Sequence, residues 1–166
     1  MAGLEDLYRE IIIDHYRSPR NRGELDTPPA TRTEGFNPLC GDEIVVYLQL
    51  GEGEGDDRVI EEIRIGGQGC SISQSSASMM STAVNGKTIA EAREVMRAFK
   101  AMMSIHESAL DDSVEEPDIA DIGELKLGDL EAMRGVVKFP VRIKCATLSW
   151  NTLDQGISEA VAGDAV

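Results

Sequence analysis

Cysteine, histidine and aromatic residues are scarce in this chain, and each scarcity narrows what it can be. Only Cys40, Cys70 and Cys145 are cysteines among 166 residues. An odd number rules out a complete disulfide framework, so a reducing compartment and thiolate chemistry fit better. His15 and His106 are the only histidines. Neither is placed to serve as a base for any of the three thiols, which argues against a cysteine hydrolase. No apolar run approaches the ~20 residues that span a bilayer. Met1 to Asp6 also has neither the basic start nor the apolar core of a signal peptide, so the expected location is the cytoplasm. Basic residues are few as well: 16 against 30 acidic ones, for a net charge of -14. That charge repels phosphate backbones and anionic lipid, making nucleic acid and membranes poor candidate partners. What is present, 42% hydrophobic residues, suffices for one real core but not for two ordinary domains.

The three thiols stand in distinctive settings. Asn37-Pro38-Leu39-Cys40-Gly41-Asp42 puts a thiol and a carboxylate two residues apart, ahead of a strand-like run. In an extended segment such a pair points to one face and can share a metal. Cys70 follows Gly66-Gly67-Gln68-Gly69, a glycine-rich loop, and precedes a helix that Ser71 or Ser73 can cap and that ends at Asn85-Gly86. A thiol at a helix start is favoured as thiolate by the unpaired N–H groups there. Cys145 is expected to repeat this logic, with Val137 to Lys144 extended before it and an amphipathic helix from Ala146 to Val161 behind it. Three thiols and Asp42 make four ligands, enough for a tetrahedral Zn²⁺ site or for an iron-sulfur cluster with one oxygen ligand. Arg142 and Lys144 can offset the excess negative charge of such a set. The glycine-rich loop lacks both the Gly-Lys-Ser/Thr ending and the full GxGxxG pattern, so nucleotide binding is rejected.

The remainder predicts a frame. Leu4, Leu7, Tyr8, Ile11, Ile12 and Tyr16 form one face of a first helix, stopped by Ser18-Pro19, with His15 expected to be packed or half-exposed. Arg17, Arg20 and Arg22 are a basic cluster, read as a solvated turn or a docking spot for an acidic partner. Strands are expected at Thr31–Phe36, Glu43–Leu50 and Arg58–Ile65, the last two antiparallel about a turn at Gly51 to Asp57. Thr88-Ile89-Ala90-Glu91 fits a capping box, and the methionines behind it are expected in the core. From His106 the chain reads as irregular and acidic, an insertion at about 105–124, followed by a short helix at Leu127–Val136. His106 has a weak claim as a ligand.

Taken in order, Leu7-Tyr8 through Asp14-His15-Tyr16, Asn37 to Asp42, Gly67 to Ser73 and Val141 to Cys145 resemble the U-type iron-sulfur assembly proteins, and within them the SufU type. The resemblance implies an α+β fold, a single domain in which a three-stranded antiparallel sheet packs against helices, with a metal site at one exposed end. It makes Cys40, Asp42, Cys70 and Cys145 the metal ligands. IscU-type members carry a histidine immediately before the third cysteine and no long insertion; here Lys144 and the acidic insertion point to the SufU type. SufU-like proteins hold zinc and accept persulfide sulfur from a pyridoxal-phosphate-dependent, SufS-like cysteine desulfurase. The implied mechanism is that a histidine of the docked desulfurase replaces Cys40 on the metal, freeing that thiolate as the sulfur acceptor. Asp42 would hold the metal through the exchange, Cys70 and Cys145 would anchor it, and Arg142 and Lys144 would lie beside the ligands or at the docking surface.

The leading expectation is thus a zinc-dependent sulfurtransferase that passes sulfur towards downstream iron-sulfur assembly proteins. The alternatives are a scaffold building a [2Fe-2S] cluster, or binding iron, on the same four residues, and a structural zinc module that binds partners.

Overall fold

The computed structural model describes residues 4–27, 30–38, 41–53, 55–110, 130, 132, 133, 136 and 140–164. Their frame is an antiparallel meander with strand order β1 (Thr31–Asn37), β2 (Asp42–Leu50) and β3 (Ile60–Gln68). Helices α1 (Leu4–Arg17), α2 (Ser71–Val84), α3 (Ile89–Leu110) and α4 (Pro140–Asp164) complete it. This is the expected α+β architecture. No described helix is long and apolar enough to cross a membrane.

Alternation along β2 sends Ile44, Val46 and Leu48 inward, where they join Ile60, Ile63 and Ile65 of β3. Against this layer pack Met79 and Met80 of α2, Phe99, Met102 and Met103 of α3, and Trp150, Leu153 and Ile157 of α4. The methionines are core residues, as their helical spacing predicts. Trp150 is the keystone. Its ring stacks on Phe99 with centroids 4.5 Å apart. Its indole N–H donates to Ser76 Oγ at 3.1 Å, and Ser76 donates in turn to the Ala146 carbonyl at 2.6 Å. Removing so large a fully buried ring leaves a cavity and orphans polar partners, so Trp150→Ala is expected to lower unfolding free energy by about 3–5 kcal/mol, read from urea denaturation.

The elements differ from expectation in ways that bear on the site. Of the expected apolar face of α1, Tyr8, Ile11 and Ile12 pack inward, while Leu7 and Tyr16 are exposed. His15 is buried, its Nδ1 2.8 Å from Ser78 Oγ, which also accepts the Arg20 N–H at 2.8 Å. Of the arginine cluster, Arg20 pairs with Asp14 at 2.5 Å, and Arg22 donates to the Gly67 carbonyl at 2.8 Å and to Gln74 Oε1 at 3.3 Å. These two side chains make contacts within the chain, the Arg20–Asp14 pair at the solvated surface. The segment holding them lies along the free edge of β3, with Gly23 N–H donating to the Ile65 carbonyl and Ile65 N–H to the Asn21 carbonyl.

β3 runs through Gly66 and Gly67 to Gln68, in place of the flexible loop that so many glycines suggest. At Gly67, with φ +103°, a Cβ would overlap the Glu43 carbonyl, so glycine serves close strand pairing here. Helix α3 begins at the expected capping box, with Glu91 N–H donating to Thr88 Oγ1 at 3.2 Å. It continues past His106 to Leu110, because Ile105 to Leu110 contains no glycine or proline to stop it. The rest of the acidic insertion, from 111 to 124, lies outside the described residues, as does most of the expected helix at Leu127–Val136.

Candidate metal centre

The site is built where β1 and β2 meet the starts of α2 and α4. β2 opens on Asp42, which pairs across the hairpin with Asn37, the last residue of β1. Gly41 closes the turn with φ +70° and donates its N–H to the Asn37 carbonyl at 2.8 Å. Gly41 is therefore not extended, so the expectation that Asp42 shares one continuous extended segment with the residues before it fails at Gly41. Cys40 itself lies outside the described residues.

Asp42 is fully buried and ties this hairpin to α2. Its Oδ1 accepts the Cys70 backbone N–H at 2.9 Å, and its Oδ2 lies 3.8 Å from Cys70 Sγ. Cys70, rather than Ser71 or Ser73, is the N-cap of α2: its sulfur accepts the Ser73 N–H at 3.5 Å. This thiol thus sits at a helix start, as its place in the sequence predicts. Ser73 Oγ instead donates to the Cys70 carbonyl at 3.1 Å.

Cys145 arrives differently. Pro140 opens α4, a position that suits a residue with no N–H to offer, so residues 140–144 are helical rather than extended. Cys145 consequently lies in the second turn, buried, rather than at the helix start. Asn37 Nδ2 approaches its sulfur at 3.9 Å.

One donor atom each from Asp42, Cys70 and Cys145 can be chosen so that all lie within 4.8 Å of one another. Around a tetrahedral zinc, bonds of about 2.3 Å to sulfur and 2.1 Å to oxygen place S and O about 3.6 Å apart, close to the Asp42–Cys70 separation. Two thiolates and a carboxylate are donors that zinc accepts, so the residues present fit such an ion. Arg142, one turn before Cys145, lies within electrostatic reach of both thiols. The negative charge of Cys70 first, and then that of Cys145, holds its guanidinium pKa above the ordinary arginine value against some desolvation. Arg142 and Lys144 are both exposed, and Arg142 is the one that bears on the thiols.

Two contributors carry no role that the sequence assigns. Asn37 stands inside the Cys40 motif, but its partner is remote in the chain. Gly69 precedes Cys70 where a Cβ would fall 2.5 Å from Asp42 Oδ1 and 2.7 Å from Ser73 Oγ. Its only sequence signal is its position next to a candidate ligand.

The family model described as the NifU-like N terminal domain matches residues 7–146. The chain is 42% identical over 163 residues to the zinc-dependent sulfurtransferase SufU of Bacillus subtilis (strain 168), covering 98% of this chain and 97% of the relative. It is 35% identical over 160 residues to the iron-sulfur cluster assembly scaffold protein IscU of Streptococcus pyogenes serotype M1, covering 96% and 88%. A crystal structure from Fervidobacterium islandicum AW-1, described as an iron-sulfur cluster assembly scaffold protein for the SUF system, superposes with a TM-score of 0.68 at 31% identity, covering 92% of this chain and 97% of that one. The family match over most of the chain, supported by these relatives and a shared fold, establishes that the chain belongs to the NifU-like N-terminal domain family.

Proposed function

We propose that the chain is a zinc-dependent sulfur acceptor that takes persulfide sulfur from a cysteine desulfurase for iron-sulfur cluster assembly. The observation that carries this reading is the convergence of Asp42, Cys70 and Cys145 within metal-ligand distance, with Arg142 within electrostatic reach of both thiols. Cys40, the remaining thiol, is joined through Gly41 to Asp42 and completes a four-donor set. Bound zinc would keep such thiols deprotonated at neutral pH without taking part in redox chemistry.

The transfer itself is thiol exchange. The Cys40 thiolate attacks the terminal sulfur of the desulfurase persulfide, a new S–S bond forms on Cys40, and the desulfurase cysteine leaves as thiolate with the electron pair of the broken bond. No external oxidant or reductant is required. Docking is supported by two large apolar side chains adjoining site residues: Phe36, 59% exposed, directly before Asn37, and Val141, 65% exposed, directly before Arg142.

Elemental analysis of anaerobically purified protein, paired with turnover of a SufS-like desulfurase with and without the chain, tests the proposal. Near-stoichiometric zinc and faster turnover are expected. Iron with sulfide, and no effect of the zinc form on turnover, would overturn it in favour of the [2Fe-2S] scaffold.

A further inference from the structure

We infer that Asn37 is a positioning residue for the metal centre, holding the Cys145 sulfur from the sheet side through its side-chain amide. The inference rests on reading the Asp42, Cys70 and Cys145 group as a metal site.

The two cysteines reach the same centre from different settings. Cys70 is an N-cap, and the Ser73 N–H of the first helical turn points at its sulfur. Cys145 is one turn further into its own helix. Arg142 bears on its sulfur electrostatically, but that side chain is largely exposed and bears on Cys70 as well. Asn37 approaches the same sulfur from the sheet: it is buried, with Nδ2 3.9 Å from Cys145 Sγ. An N–H donated to a thiolate is charge-assisted, and in a water-poor setting it fixes both the distance and the direction of the sulfur.

Asn37 also occupies a junction. Its carbonyl accepts the Gly41 N–H that closes the turn, and its backbone pairs with Asp42. Its main chain therefore sets the hairpin from which Asp42 projects, while its side chain reaches across to α4. One residue fixes the relative placement of an oxygen ligand on the sheet and a sulfur ligand on a helix. Substitutions of the side chain leave the main-chain half of this arrangement intact.

The test measures zinc affinity of the full-length chain by competition with a chromophoric chelator for the native protein, Asn37→Leu and Asn37→Ala. Loss of a group that orients a metal ligand is expected to weaken zinc binding about 10–100-fold. In the cobalt-substituted proteins, thiolate-to-metal absorption should move to lower energy, because a sulfur relieved of a hydrogen bond donates charge more readily. A merely structural role would instead lower the unfolding midpoint of the metal-free protein and leave the cobalt spectrum unchanged. Leucine approximates the volume of asparagine; if that variant does not fold, alanine decides. A folded variant with native zinc affinity and a native cobalt spectrum overturns the inference. Native protein that binds zinc no better than a Cys70→Ser variant instead overturns the metal-site reading, and this inference with it.

Discussion

Replacing Cys40 with alanine is expected to return desulfurase turnover to the rate of the desulfurase alone, and to leave no persulfide on the chain when the intact protein is weighed after reaction. The argument is one of division of labour. Asp42 is tied to the Cys70 amide, Cys70 is fixed by capping α2, and Cys145 is buried in α4. Each of these three is bound into a secondary-structure element, and moving any one of them would dismantle part of the frame. Cys40 is joined to this frame only through its neighbours in the chain, among them Gly41, whose N–H donates to the Asn37 carbonyl. Attack on a persulfide requires a sulfur that can leave its ligand position and approach within bonding distance of a partner's sulfur. Zinc affinity should weaken in the same variant, because one of four donors is lost, while the metal-free fold persists. A Cys40→Ala protein that accelerates the desulfurase as well as the native chain would assign sulfur acceptance elsewhere. A variant that unfolds when Cys40 is removed would favour a structural zinc module.

The second large effect is expected at a residue that binds nothing. A methyl group at position 69 would lie 2.5 Å from Asp42 Oδ1, closer than real contacts allow, and 3.0 Å from Asp42 Cγ. Gly69→Ala must therefore drive the Asp42 carboxylate away, breaking its 2.9 Å hydrogen bond from the Cys70 N–H and moving its oxygens off the sulfurs. Hydrogen bonds to charged groups contribute about 1.5–3 kcal/mol, so zinc affinity is expected to fall about 10–100-fold, and further if the oxygen ligand is lost outright. Titration with a competing chelator reads this directly. Native affinity in the variant would mean that Asp42 is not a ligand, or that its carboxylate holds the metal equally well from another rotamer.

Local chemistry explains why so much of the frame is legible in the sequence. Strand alternation in Glu43–Leu50, the stop at Ser18-Pro19, the capping box at Thr88 and the helix end at Asn85-Gly86 are all signals spanning a few residues. They appear in the structure close to where the sequence puts them. The start of α4 misleads for an equally local reason. Val137, Phe139, Val141 and Ile143 alternate as a strand would, and only the preference of proline for the first helical position, met at Pro140, opposes them. Asp42, Cys70 and Cys145 can be grouped from sequence because thiols are so few. The contacts that support them cannot, because they join distant parts of the chain. Asn37 meets Cys145 across 108 positions, and Arg22 meets Gly67 across 45. No periodicity records such a meeting.

The fastening of the N-terminal segment also bears on how the molecule opens and assembles. The meander and α2 are neighbours in sequence and can form early from short loops. The ties of α1 and the following segment, His15 to Ser78 and Arg22 to Gln74, close loops of 63 and 52 residues. Loop-closure entropy places such docking after the meander and α2 have formed. A transient release of α1 and the segment after it would bare the serine-rich flank of α2 while leaving the tie of Asp42 to the Cys70 N–H in place. The nascent chain can therefore bring Asp42 and Cys70 together before its own N-terminus has settled, whereas Cys145 reaches them from the far end of the chain, over a longer loop.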